Sequence, residues 1–289
     1  MRFVAFGEIL FDVIMDQAKI GGAPLNVTSH MAKFGVESLV VSAVGNDQLG
    51  DRALEEISSL GLSTRYIKQS SYPTGRADVT LAGGNADYTF NDPAAWDDVT
   101  LVQQLPERID ILYWGTLVQR HETSRKTLES IIAHANAPIR FYDVNIRKHF
   151  YSKQILEDGI SHATILKMND EEVPLVCEVL GKQGATRAES VRSLLASYPL
   201  EMVLVTLGSE GSECFTKEGK YFHQACGKVD VVDTVGAGDS LSAAFISTLA
   251  QGGSIEEALK RGTMLASYVC GQRGAIPAYS EELKRKLGL

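Results

Sequence analysis

The chain has 289 residues, 44% hydrophobic and 22% charged, so it can bury a sizeable core as one large α/β domain or two smaller ones. Against 28 Lys and Arg stand 36 Asp and Glu, a net charge of −8. With no dense basic run, this balance argues against a nucleic-acid partner and against an anionic membrane surface.

Residues 2–6 read as a short apolar strand, and Glu8 and Asp12 follow too soon for a signal peptide. Residues 11–20 alternate like a strand but fall outside the rhythm of the rest. Residues 24–34 carry helical spacing, 38–44 form a strand, and 47–60 form a helix with Asp47 as N-cap and Gly61 just past its end. Residues 76–90 alternate again around Gly83-Gly84-Asn85. With 11–20 they suit either a small β-layer outside the main sheet or an ordinary edge hairpin. Strands are then expected at 111–114, 140–143, 165–168 and 202–206, with helices at 123–135 and 171–180, and an apolar helical run covers 241–249. Short apolar strands alternating with helices predict a mostly parallel sheet covered on both faces. No repeat or linker interrupts the chain, so the β-layer is expected as an insertion in a single domain. The four cysteines lack any C-x-x-C spacing and read as free thiols in a reducing compartment. No apolar run approaches the ~18 residues of a membrane span, and a cytoplasmic protein is expected.

An acidic chain binds an anionic ligand only where amides, helix N-termini or a bound cation supply local positive potential. Val231-Val-Asp-Thr-Val-Gly-Ala-Gly-Asp-Ser240, followed by the helical run, offers such a place. Gly236, Ala237 and Gly238 permit a tight turn whose amides converge at a helix start. The alternative is a Gly-rich helix entry capped by Asp233 or Asp239. Asp239 favours the first reading, because phosphoryl transfer needs a carboxylate to accept the proton of the attacking hydroxyl. No G-x-x-x-x-G-K-[ST] loop and no third glycine of a dinucleotide fingerprint occurs. No His/Cys cluster suggests zinc, and the six histidines read as surface or core residues.

Four segments together resemble one family. Asp233-Thr-Val-Gly-Ala-Gly-Asp239 resembles the D-T-x-G-A-G-D signature of the ribokinase-like (PfkB) carbohydrate kinases, and Gly21-Gly22-Ala23-Pro24-Leu25-Asn26 resembles their N-terminal G-G-x-x-x-N signature. Asn169-Asp-Glu-Glu172 is similar to the N-x-x-E element and Thr206-Leu-Gly208-Ser-Glu-Gly211 to the nucleotide-binding turn. The resemblance implies a three-layer, Rossmann-like α/β fold with a mostly parallel central sheet and a small β-sheet lid from about 11–20 and 70–95. It implies Asp239 as general base, ionised at its helix terminus and therefore weak, and the amides of Gly236, Ala237 and Gly238 as an anion hole. Asn169 and Glu172 are implied to hold Mg²⁺ through water, or else they are simply a helix start. Thr206, Gly208, Gly211 and Asn169 are implied to border ATP. Asp233, Val235 and Gly274, next to Ala275, are implied as a K⁺ site, with a plain C-terminal turn as the alternative.

Asp12, Gly22 and Asn26 match the family's sugar-contacting positions. Asp143-Val-Asn145-Ile-Arg147 resembles an element of fructokinases and of 2-keto-3-deoxygluconate kinases, and Arg147 either neutralises phosphate or pairs with Asp143. The resemblance thus implies ATP-dependent phosphorylation of fructose on the 6-hydroxyl. A 2-keto-3-deoxygluconate kinase, a ribokinase and a catalytically idle sugar sensor are the alternatives, and a homodimer through the lid is implied as well. A phosphofructokinase would need extra Lys or Arg near Asp12 or Asn26, and no such cluster is visible.

Overall fold

The computed structural model describes residues 1–14, 17–82 and 85–289; the expected turn at Gly83 and Gly84 lies outside them. In β1 (Arg2–Phe6) the period of two sends Phe3 and Ala5 to one face and Val4 and Phe6 to the other, and all four are fully buried. A strand buried on both faces is what a sheet between two helical layers requires.

After β1 come β2 (Leu10–Ile14), β3 (Gln17–Gly21), α1 (Ala23–Lys33), β4 (Glu37–Gly45), α2 (Gln48–Ser59), β5 (Ile67–Ser70), β6 (Gly75–Ala82) and β7 (Asn85–Phe90). The middle of the chain holds β8 (Ile111–Gly115), α3 (Glu122–His134), β9 (Ile139–Asp143), α4 (Lys153–His162), β10 (Ile165–Asn169), α5 (Glu172–Leu180) and α6 (Arg187–Ser197). It ends with β11 (Met202–Thr206), β12 (Ser212–Thr216), β13 (Tyr221–Gln224), α7 (Ala237–Ala250), α8 (Ile255–Cys270) and α9 (Glu281–Leu287).

Among the described residues the large sheet has nine strands in the order β13-β12-β11-β10-β9-β8-β1-β4-β5. It is parallel from β11 to β5, with β12 and β13 added antiparallel. The chain runs from β1 to β4 and β5 on one side, then returns to β8 and continues the other way. Such a reversal leaves a crevice at the carboxyl ends of the strands. A second sheet, in the order β3-β2-β6-β7, stands apart from it. The β-layer is therefore a separate sheet and not an edge hairpin, with β2 and β6 parallel between two antiparallel pairings.

One face of the large sheet packs Phe3, Tyr113, Phe141 and Leu204 against Met31 of α1 and Phe245 of α7. The other face packs Phe6, Trp114, Tyr142 and Leu166 against Leu128 of α3, Ile160 of α4, Val176 of α5 and Leu194 of α6. Asp47 caps α2 by accepting from the Gly50 amide at 2.8 Å, and Gly61 follows with a φ of 76°. Both are local devices.

A buried ion pair ties the segment after β7 to the turn after β8. Arg120 Nη2 lies 2.6 Å from Asp97 Oδ2, with side-chain exposures of 3% and 0%. The guanidinium sits 4.9 Å over Trp96 and 4.7 Å over Phe150. Asp97→Ala leaves that charge buried without its partner and is expected to lower unfolding free energy by about 3–5 kcal/mol. Urea denaturation should also show Asp97→Ala/Arg120→Met losing much less than the two single changes combined.

Candidate active site

The carboxyl ends of β1, β9, β10 and β11 open into a cavity of about 650 Å³ that β2 of the small sheet and the N-terminal turns of α1 and α7 also line. Glycines shape its walls. Gly22, the residue before α1, has a φ of 110°, and a Cβ there would lie 2.3 Å from the Glu8 carbonyl oxygen. Gly236 caps α7 with a φ of 78°, a left-handed conformation that favours glycine.

Asp239, in the first turn of α7, faces the cavity and accepts a 2.8 Å hydrogen bond from Asn26 Nδ2. The two residues are 213 apart in sequence, so packing of α1 on α7 creates the pair. Burial pushes the Asp239 carboxyl up to about 6; Asn26 opposes this, Asp143 adds to it, and Lys167 and Arg147 pull it back. The sequence reading expects an ionised, weakly basic carboxylate. Asp239 remains mostly ionised at neutral pH but is poised much closer to it, as suits a proton acceptor.

Gly236 and Gly238 line the cavity beside Asp239. Ala237 does not, and its amide donates to the Thr234 carbonyl at 3.3 Å. Positive charge reaches the same spot from Lys167 of β10, which the sequence reading missed. A Cβ on Gly238 would lie 3.0 Å from Lys167 Nζ. Burial pulls the ammonium down, but Asp143, Glu172 and Asp239 outweigh it and hold the group above its ordinary value.

Asp143 departs from its expected place against substrate. It is fully buried beneath Lys167, with both carboxylate oxygens 3.0 Å from Nζ, and Tyr113 donates to it at 3.2 Å. Its charge partner is Lys167, so the suggested Arg147–Asp143 pair is not formed. Arg147 is exposed and lines the cavity. Asn145 lines it too, in a left-handed conformation with φ of 38°, a strain often found where a side chain is aimed at a ligand.

Asp12, on β2, faces the cavity against Gly21, where a Cβ would meet its Oδ2 at 2.9 Å. Burial raises its pKa, and Arg147 lowers it. Glu8, just past β1, is 4% exposed at the cavity wall, and burial pushes its carboxyl up to about 7.

Asn169 and Thr206 line the cavity at the ends of β10 and β11. Glu172 does not. Its Oε1 accepts from the Ile146 amide at 2.7 Å and its Oε2 from the Asn169 amide at 2.8 Å, while its own amide donates to Asn169 Oδ1 at 2.8 Å. The helix-start reading of this element is thus present in the structure. Each carboxylate oxygen keeps a second acceptor direction, and these hard oxygen donors fit a Mg²⁺ ion held through its waters.

Gly208 and Gly211 shape the turn after β11 without lining the cavity. Gly211 rests so closely on the Gln224 carbonyl that a Cβ there would collide with its oxygen. Asp233 accepts from the Val235 amide at 3.0 Å and the Gly274 amide at 3.2 Å, knitting the loop before α7 to the C-terminal loop. An oxygen donor of this kind suits K⁺, although Val235 and Gly274 present amides to Asp233.

The model of the pfkB family carbohydrate kinases matches residues 3–282. The chain belongs to that family. The kinase is 29% identical to a sugar kinase of Pyrococcus horikoshii over 98% of its own length and 94% of the other's. The structure of that protein superposes with a TM-score of 0.82, covering 99% of this chain and 97% of that one at 24% identity. Fructokinase-2 of Zea mays is 28% identical over 95% of the kinase and 90% of the relative. A Xylella fastidiosa fructokinase with bound ATP superposes with a TM-score of 0.83 at 21% identity, covering 99% of each chain. The α/β architecture with its second sheet is that of the ribokinase-fold sugar kinases.

Proposed function

We propose that the kinase transfers the γ-phosphoryl group of ATP to a hydroxyl of a neutral sugar, fructose first, giving fructose 6-phosphate. The observation that carries this reading is the Asn26–Asp239 pair beside Gly236, Gly238 and Lys167. A proton acceptor and a site for developing negative charge share one end of the cavity. Asp12, Asn26 and Asn145 offer short polar groups to adjacent hydroxyls. Asp239 accepts the proton of the attacking hydroxyl and orients it, which a loose phosphoryl-transfer transition state requires more than strong basicity. Amides at Gly236 and Gly238 and the Lys167 ammonium stabilise charge on the moving group.

Thr206 and Asn169 border the nucleotide, with Gly208 and Gly211 fixing the turn behind Thr206. Mg²⁺, held through water near Asn169 and Glu172, would screen the charge of the nucleotide phosphates. K⁺ beside Asp233 would add positive potential next to the anion hole. The small sheet serves as a lid over the sugar, and its outer strands β3 and β7 offer edges for a second copy of the chain. Within the described residues no helix is long and apolar enough to cross a membrane.

Arg147 at the cavity favours a second reading, a sugar acid such as 2-keto-3-deoxygluconate whose carboxylate it would pair. A coupled assay of ADP release with MgATP and fructose, ribose, 2-keto-3-deoxygluconate, adenosine and fructose 6-phosphate decides between them. The highest kcat/KM is expected for fructose. A preference for the sugar acid would transfer Arg147 to substrate recognition, and no stimulation by any sugar would favour a sensor.

A further inference from the structure

Helix α1 meets the active site at two places one turn apart. Asn26 donates to Asp239. Four residues on, and so on the same face, His30 is fully buried and reaches the C-terminal loop. Its Nε2 lies 2.9 Å from the Ala275 carbonyl oxygen and its Nδ1 2.6 Å from the Tyr279 hydroxyl. A carbonyl only accepts, so Nε2 carries the proton and Nδ1 accepts from Tyr279. Burial holds the imidazole down at about 4, consistent with this neutral tautomer.

Ala275 is the seat of the anion-hole loop. A Cβ on Gly236 would lie 2.5 Å from the Ala275 Cβ and 2.6 Å from its Cα, so Gly236 rests directly on that residue. One position earlier, the Gly274 amide donates to Asp233. Lys33, near the end of α1, extends the clamp by donating to the Pro277 carbonyl at 2.7 Å and lying 4.6 Å over the Tyr279 ring.

We propose that His30 is a positioning residue for phosphoryl transfer: by holding Ala275 it fixes Gly236 relative to the Asn26–Asp239 pair, so that the proton acceptor and the anion hole keep one geometry. An apolar side chain at this position would leave the Ala275 carbonyl and the Tyr279 hydroxyl without their partner and free the loop to shift. The proposal rests on transfer at Gly236 and Asp239, not on which sugar is the acceptor.

The test compares the full-length wild type with His30→Leu and His30→Gln, using the sugar that the wild type prefers and MgATP. The Gln amide nitrogen can occupy the place of Nε2 and donate to Ala275. His30→Leu is expected to lower kcat about 10- to 100-fold with KM for sugar and ATP within about twofold, and His30→Gln to recover kcat to within about threefold. Amide hydrogen exchange at 274–279 should quicken in the Leu variant and stay near wild type in the Gln variant. Unchanged kcat and exchange in His30→Leu would overturn the proposal, as would a Gln variant no better than Leu, or a loss that tracks the unfolded fraction in a thermal melt. Should His30→Leu not fold, His30→Asn is read the same way. Its shorter amide stops short of the Ala275 carbonyl that Nε2 reaches at 2.9 Å, and unchanged kcat and exchange there overturn the proposal. If the wild type phosphorylates no sugar, the kinase reading of the site fails, while exchange at 274–279 still decides whether His30 holds the loop.

Discussion

Asp239→Asn is expected to lower kcat by about 10²–10⁴-fold, the range spanned by removal of a positioned acid or base. The amide keeps an oxygen to accept from Asn26, so the α1–α7 contact and MgATP binding should survive while proton acceptance is lost. The wild-type pH profile should carry the same group. A carboxyl pushed up to about 6 must be deprotonated to act, so kcat/KM should climb with pH through about 6 and level off above it. The variant should lose that limb. Stability should move in the opposite direction to activity. Because the folded-state pKa lies above its ordinary value of 3.8, the charged form weakens the folded state, an effect that develops as pH rises from about 4 to 6 and is complete at neutral pH. Asp239→Asn should therefore melt no lower than wild type at pH 7.5, and higher if the Asn26 contact is kept. Near-normal turnover would remove Asp239 from the reaction, and a large drop in melting temperature would make it a structural carboxylate.

What was legible in the sequence was local or tied to a short motif. The Asp47 cap closes within three residues on the Gly50 amide, and the strands at 111–114 and 202–206 announce themselves as apolar runs bounded by turns. Gly22, Asn26, Gly236, Gly238 and Asp239 were found because they lie in compact signatures, and the fold brings all five to one cavity. Contacts between distant segments were not legible. Lys167 sits in Ile165–Asn169, where a lysine reads as a polar break in an apolar strand, and its partner Asp143 lies 24 residues earlier on the neighbouring strand. A buried lysine in a central strand was the available signal, since such a charge demands a partner. Types and spacing also could not show how a group's bonding capacity is already used. The Ala237 amide, implied as part of the anion hole, is engaged by Thr234, and spacing alone leaves Glu172 between a metal role and the helix start that its bonds with Ile146 and Asn169 form.

Lys167→Met separates stability from chemistry at that missed residue. In the wild type the ammonium and the Asp143 carboxylate are 8% and 0% exposed and 3.0 Å apart. Methionine preserves most of the volume but leaves a buried carboxylate whose remaining hydrogen bond comes from Tyr113. Breaking one side of such a pair is expected to reduce unfolding free energy by about 3–5 kcal/mol. Adding Asp143→Asn removes the orphaned charge, and the double variant should regain most of that loss in urea denaturation. Turnover should not follow. Lys167 Nζ lies next to Gly238, at the proposed anion hole, and its absence is expected to lower kcat about 10²-fold or more in both the single and the double variant. Recovery of kcat together with stability in the double variant would mean that Lys167 serves only to neutralise Asp143. Restored folding with turnover still depressed would assign the ammonium to the phosphoryl group, and it would explain how an acidic chain without a basic patch holds a highly charged nucleotide.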